Sequence, residues 1–122
     1  MGFNNLKTYK KLNNIVGIAS FVDKKYVHLF PITKDDNKKA LPIRGKWLKN
    51  VRMYDFKINL QLIIIPVLIC VGQHDPQTPI IMSKELNSGI KNSKLVVFKY
   101  SGHSPFIEES EKFTQVIHDF LK

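Results

Sequence analysis

The sequence predicts an α/β fold with at least two parallel strands. Two short runs are apolar throughout, Val67–Val71 and Leu95–Phe98, as expected for strands that are covered on both faces. A helical pattern lies between the two runs, and another follows the second run. Such a series joins parallel strands through a crossover helix. Two strands alone cannot complete a sheet, so the pattern implies further strands that this stretch does not supply.

The chain divides near residue 60 into two parts of different regularity. Residues 1–59 are basic and irregular, and residues 60–122 carry the α/β pattern. In the first part, Ile15–Val22 and Tyr26–Phe30 have the composition of strands, and Lys46–Phe56 has a helical pattern. A polar loop or linker is expected over 35–39.

The net charge of +9 is concentrated in the first half of the chain. Residues 1–60 hold 13 Lys and Arg against 4 Asp and Glu, whereas residues 61–122 hold 6 of each class. A basic half can bind nucleic acid or anionic lipid. These charges are scattered, however, and no nucleic-acid-binding motif accompanies them. We therefore expect no nucleic-acid partner, although a non-catalytic basic binding protein is the alternative function.

The sequence favours a cytoplasmic location. The single cysteine, Cys70, excludes an internal disulfide and suits a reducing compartment. The first ten residues carry no apolar core of the signal-peptide type. The longest apolar run, Leu60–Val71, is too short to span a bilayer and contains Pro66, so no membrane partner is expected.

Two helices are expected around the second strand. For the first, Thr78 is the predicted N-cap and Pro79 the first helical residue, and the predicted buried stripe consists of Ile81, Met82, Leu86 and Ile90. The second has one apolar face, formed by Phe113, Val116, Ile117, Phe120 and Leu121. Acidic side chains at its start, where the helix dipole favours them, are Glu108, Glu109 and Glu111.

An aspartate and a histidine follow the two predicted strands. The first strand leads into Gly72-Gln73-His74-Asp75, and the second leads into Gly102-His103, 28 residues after the aspartate. Because the carboxyl ends of parallel strands open into one crevice, Asp75 and His103 can meet there. An imidazole can take the proton from an attacking hydroxyl, and a buried carboxylate fixes its tautomer. The simpler alternatives are a loop aspartate and a surface turn histidine.

These motifs resemble the end of the α/β-hydrolase fold, closest to the proline iminopeptidase-like branch of serine aminopeptidases and esterases. The likeness covers roughly residues 60–122. It implies that Asp75 is the acid and His103 the base of a catalytic triad, on the last two parallel strands with flanking helices. It also implies a small peptide or ester substrate and no cofactor. Residues 1–59 would then be partly lid-like or irregular, connecting a lid to the core.

The nucleophile that such a triad needs has no match in the sequence. No Gly-x-Ser-x-Gly elbow occurs, and Ser104 is followed by Pro105, which lacks the N–H that an oxyanion hole requires. The sequence therefore predicts a truncated hydrolase that is inactive alone. A gene fragment, a frameshift product and a decayed remnant all fit, and a separately encoded N-terminal half is a candidate partner.

Metal binding is not expected. His74 stands beside Asp75, but adjacent side chains diverge and no further ligands follow at useful spacing. Cys70 lies in the middle of a predicted strand, where an inert buried thiol is the usual state.

Overall fold

The computed structural model of the protein describes residues 19–29, 55 and 57–122. Over these residues it confirms the predicted α/β architecture, with two parallel strands and flanking helices. The elements in chain order are 3₁₀ helices at Lys24–Leu29 and Lys57–Leu62, strand β1 (Val67–Gly72), helix α1 (Ile80–Gly89), strand β2 (Ser93–Phe98), and helices α2 (Pro105–Glu108) and α3 (Ser110–Phe120).

Strands β1 and β2 pair in parallel, and they end level with each other. The register runs from Val67 opposite Ser93 to Gly72 opposite Phe98. The pairing continues one step further, because the Gln73 N–H donates to the Phe98 carbonyl oxygen at 2.8 Å. The loops that follow the two strands therefore start side by side at one edge of the sheet.

Phe98, the last residue of β2, is the centre of the packing around the sheet. It is fully buried, and its ring lies 5.6 Å from the ring of Phe113 on α3. The ammonium of Lys112 lies 4.8 Å from the centre of the Phe98 ring and donates to the Val97 carbonyl oxygen at 3.2 Å. Helix α3 is thus fixed to the end of β2 by an aromatic contact and a cation.

The prediction of the buried face of α1 was wrong. Ile81, Met82 and Leu86 are exposed, and of the predicted stripe only Ile90 is buried. The side chains turned inward recur at helical spacing from a different start, and they are Ile80, Ser83, Asn87 and Ile90. Two of these are polar. The Ser93 hydroxyl at the start of β2 donates to the Ile90 carbonyl oxygen at 2.7 Å, and it lies 3.1 Å and 3.2 Å from the carbonyl and side-chain oxygens of Asn87. The end of α1 is therefore joined to β2 by polar contacts.

The start of α1 also differs from the prediction. The helix begins at Ile80, with Pro79 in the capping position and no side-chain capping bond. Thr78 does not cap the helix, because its hydroxyl donates to the Asp75 carboxylate instead. The predicted final helix is present as α3 (Ser110–Phe120), and a separate single turn, α2, precedes it and ends at Glu108.

Strand predictions in the first part of the chain were wrong wherever the structure tests them. Residues 24–29, which include most of Tyr26–Phe30, form a 3₁₀ helix, in which His28 Nδ1 contacts the Lys25 carbonyl oxygen at 2.7 Å. Ser20–Val22 form a turn and loop. The loop over 35–39 and, apart from Asp55, the helix over 46–56 lie outside the described residues. None of the helices in residues 19–29 and 57–122 is both long and apolar enough to span a bilayer.

Candidate active site

The two residues that the sequence singles out are in direct contact. Asp75 lies three residues beyond the end of β1, and His103 lies five residues beyond the end of β2. His103 Nδ1 is 2.9 Å from Asp75 Oδ2. The level strand ends bring these loops together, although 28 residues separate the two side chains.

The Asp75 carboxylate is buried and surrounded by donors. Its side chain is only 5% exposed. Oδ1 accepts the backbone N–H groups of Gln77 at 2.8 Å and Thr78 at 3.0 Å, and Oδ2 accepts the Thr78 hydroxyl at 2.6 Å. Burial by itself would raise the pKa of Asp75, but the hydrogen bonds from Thr78, His103 and Gln77 outweigh it and lower the pKa below its ordinary 3.8. The carboxylate is therefore ionised at neutral pH.

His103 presents its ring between this carboxylate and the solvent. Its side chain is 38% exposed, and its backbone N–H donates to the Ser20 carbonyl oxygen at 2.6 Å. An ionised carboxylate only accepts hydrogen bonds, so Nδ1 of His103 carries the hydrogen in this pair. In the neutral ring, Nε2 is then the nitrogen with a lone pair, and this nitrogen can take a proton.

The two glycines of the motifs are required by close packing. A Cβ atom on Gly72 would overlap the carbonyl oxygen of Gly102, and a Cβ on Gly102 would overlap that of Ser20. No glycine in the described part of the chain has a positive φ. The glycines thus let three backbone segments approach one another.

Two glutamates after the histidine hold its loop in place. Glu108 accepts the Gly102 N–H at 2.7 Å and the Val22 N–H at 2.6 Å. Glu109 accepts the Tyr100 N–H at 2.9 Å and the Ser101 hydroxyl at 2.7 Å. From the sequence these residues were expected to be favourable charges at a helix start, and their backbone partners were missed.

The segment around Ser20 was missed altogether as part of the site. The Ser20 hydroxyl accepts a hydrogen bond from the side-chain amide of Gln77 at 2.7 Å, and the Ser20 carbonyl oxygen accepts one from the backbone N–H of His103. Only the proximity of Gln77 to Asp75 in the sequence could have drawn attention to that side chain. No pattern in residues 15–22 indicates contact with either loop.

The remaining candidates take no part in this contact. Ser104 is buried directly before α2, with Pro105 as the first residue of that helix. Burial raises the pKa of the Cys70 thiol, which favours the unreactive form. Within residues 19–29, 55 and 57–122, no three His, Cys, Asp or Glu side chains are grouped as a metal site would require.

Two parallel strands that present a carboxylate and an imidazole from successive carboxyl ends fit the C-terminal part of an α/β-hydrolase fold. Comparison with known families agrees, because the profile described as TAP-like protein matches residues 54–122, more than half of the chain. The chain therefore belongs to this family of α/β-hydrolases.

Individual relatives are similar over the same part of the chain. The AB hydrolase superfamily protein YisY of Bacillus subtilis (strain 168) is 43% identical over 70 residues, covering 57% of this chain and 26% of that protein. A proline iminopeptidase of Clostridioides difficile (strain 630) is 40% identical over 68 residues, covering 56% and 23%. The chain thus matches about a quarter of the length of these curated relatives.

A solved structure extends the likeness of the fold. An α/β-fold family hydrolase from Bacillus anthracis str. Sterne superposes with a TM-score of 0.72 at 28% sequence identity. The superposition covers 97% of this chain and 43% of that one. The chain therefore corresponds to less than half of that hydrolase.

Proposed function

We propose that Asp75 and His103 are the acid and base of a serine hydrolase of the proline iminopeptidase-like type. The observation that carries this proposal is the 2.9 Å contact between His103 Nδ1 and a buried carboxylate whose pKa is lowered. A partly exposed imidazole held by an ionised, hydrogen-bonded carboxylate is the arrangement that activates a hydroxyl nucleophile.

The proposed reaction is acyl transfer to water. His103 Nε2 takes the proton of a serine hydroxyl as its oxygen attacks the substrate carbonyl, and Asp75 stabilises the imidazolium that forms. His103 then gives this proton to the departing amine or alcohol, leaving an acyl-enzyme. Water then attacks the acyl-enzyme ester while His103 takes a proton from it, and His103 returns this proton to the serine oxygen as the acid product leaves. The likeness to a proline iminopeptidase supports a peptide substrate with a free N-terminal residue. An ester is the alternative substrate, and it would react by the same acyl-transfer steps.

The serine and the oxyanion hole are proposed to come from polypeptide outside these 122 residues. The sequence contains no Gly-x-Ser-x-Gly elbow, and Pro105 removes the N–H that Ser104 would need. The chain by itself is then expected to give no turnover and no labelling by a fluorophosphonate. Strong labelling that depends on His103 would contradict this part of the proposal.

A chimera tests the acid and base roles directly. The full chain would replace the region that it covers in the B. anthracis hydrolase, and hydrolysis of p-nitrophenyl esters and proline p-nitroanilide would be measured. We expect Asp75→Asn and His103→Ala each to lower kcat by about 10⁴-fold, the scale for a serine hydrolase triad. His118→Ala, which changes an exposed histidine on α3, is the matched control and should keep full activity. An active chimera that tolerates His103→Ala would overturn the assignment.

A further inference from the structure

The loop that carries His103 is seated on residues 20–23. The His103 N–H donates to the Ser20 carbonyl oxygen at 2.6 Å, and no Cβ atom fits between Gly102 and that carbonyl. The matched family profile begins at residue 54, so residues 20–23 lie outside it. The position of the imidazole therefore depends on a segment that no catalytic motif includes.

Glu108 joins the same two backbone segments through its carboxylate. Oε2 accepts the Gly102 N–H at 2.7 Å, and Oε1 accepts the N–H groups of Val22 at 2.6 Å and Asp23 at 3.1 Å. Each oxygen thus serves one side of the junction. Hydrogen bonds to an ionised acceptor are about twice as strong as neutral ones, so this bridge holds both segments firmly.

Helix capping does not account for the place of Glu108. It is the last residue of the single-turn helix α2, and neither α2 nor α3 has a side-chain capping hydrogen bond. Its favourable interactions are the three N–H groups from outside the helix, up to 86 residues away in sequence. The carboxylate is thus placed where it serves the junction and not the helix.

The loop that carries Asp75 is tied to the same segment. The Gln77 side-chain amide donates to the Ser20 hydroxyl at 2.7 Å, and the Gln77 N–H donates to Asp75 Oδ1 at 2.8 Å. The loops that carry Asp75 and His103 are therefore both hydrogen-bonded to the same residue, Ser20. Movement of residues 20–23 relative to either loop would change the geometry of the pair.

We propose that Glu108 is a positioning residue, which holds residues 20–23 against the His103 loop and so keeps the imidazole aligned with Asp75. The catalytic meaning of this inference rests on the proposed function. The bridge itself can be tested in the full chain without any turnover.

The decisive variant is Glu108→Gln. An amide offers one oxygen and one NH₂ group, and the NH₂ group cannot accept an N–H, so only one side of the bridge survives. We expect amide hydrogen exchange at Gly102, or at Val22 and Asp23, to become about 10- to 100-fold faster, as the loss of a hydrogen bond to a charged group predicts. The Nδ1–H proton resonance of His103, which reports its hydrogen bond to Asp75, should weaken toward its state in Asp75→Asn. Glu111→Gln, an exposed glutamate on α3, makes the same charge change and should alter neither readout.

The outcomes separate the two proposals. If Asp75→Asn leaves the Nδ1–H resonance of His103 unchanged, the acid–base pair itself fails. If Asp75→Asn weakens this resonance but Glu108→Gln matches the wild type in both the resonance and the amide exchange, the positioning role is wrong. Should Glu108→Gln fail to fold, Glu108→Asp decides, because a carboxylate that is shorter by one methylene should loosen the same amides. Unchanged exchange at all three amides in that variant would also overturn the inference.

Discussion

The Thr78 hydroxyl donates to the same oxygen of Asp75 that His103 contacts, at 2.6 Å and 2.9 Å respectively. Two donors thus converge on Oδ2, one from a residue three positions further along the chain and one from a residue 28 positions further along. The hydroxyl favours the ionised carboxylate and so contributes to the lowered pKa of Asp75. Thr78, expected from the sequence to cap a helix, therefore supports the Asp75 carboxylate instead.

Thr78→Val should raise the pKa of Asp75. Valine has nearly the shape of threonine but no hydroxyl, so the carboxylate loses one of the hydrogen bonds that offset its burial. We expect the free energy of unfolding at neutral pH to fall by about 1 kcal/mol, typical of a lost hydrogen bond. Carboxyl ¹³C NMR of Asp75 against pH measures the first effect, and urea denaturation the second.

The matched control is Thr78→Ser, which keeps the hydroxyl. Its Asp75 titration should stay close to that of the wild type. An equal rise of the Asp75 pKa in both variants would show that the methyl group, and not the hydrogen bond, sets the titration.

Gly72→Ala should destabilise the protein strongly. The new Cβ would overlap the backbone carbonyl of Gly102, which cannot rotate away without moving the His103 loop. We expect a loss of about 3 kcal/mol, at the upper end of the cost of overpacking. Gly89→Ala is the milder comparison, because its Cβ would meet only the Leu60 side chain, 2.6 Å from Cδ1, which can rotate away, and 3.0 Å from Cβ, which requires a small shift. Urea denaturation of both variants should therefore show a clear difference, and equal stabilities would contradict the close-packing argument.

The sequence predicted the elements whose signal is local. β1 and β2 read as continuous apolar runs, and the glycines with Asp75 and His103 mark the loops that follow them. The buried face of α1 could not be predicted, because hydropathy favours Ile81 whereas the inward face includes the polar residues Ser83 and Asn87. Contacts of a carboxylate with distant backbone N–H groups leave no periodic trace, since every residue except proline offers the same donor.

The stability of the protein should fall in acid through two hydrogen-bonded carboxylates, those of Asp75 and Glu109. Burial would raise the pKa of Glu109, but Ser101, Tyr100 and Lys112 outweigh it and lower the pKa below 4.5, and the pKa of Asp75 lies below 3.8. A carboxylate whose pKa is lowered on folding contributes stability above its unfolded pKa, and this contribution is lost as pH falls through the folded value.

Denaturation by urea at several pH values between roughly pH 7 and pH 3 measures this dependence. We expect the free energy of unfolding to decline below about pH 4.5 in the wild type, and to decline less steeply in Asp75→Asn and Glu109→Gln. The exposed Glu111→Gln should keep the wild-type slope. Identical slopes in all four proteins would mean that neither carboxylate gains its hydrogen bonds on folding.

Phe98→Ala should be among the most destabilising substitutions, because this ring connects the sheet to the final helix. Phe98 is fully buried, 5.6 Å from the Phe113 ring and beneath the Lys112 ammonium. Truncating a buried phenylalanine costs about 3–5 kcal/mol, of which part is the cavity left behind. Ile81→Ala, on the exposed side of α1, should cost less than about 0.5 kcal/mol.

Because the Phe98 carbonyl oxygen also accepts the N–H groups of Gln73 and Ser101, loss of the ring should loosen both site loops. Faster amide exchange at Gln73 in Phe98→Ala would show that the packing of the sheet end, and not the loops alone, holds Asp75 against His103.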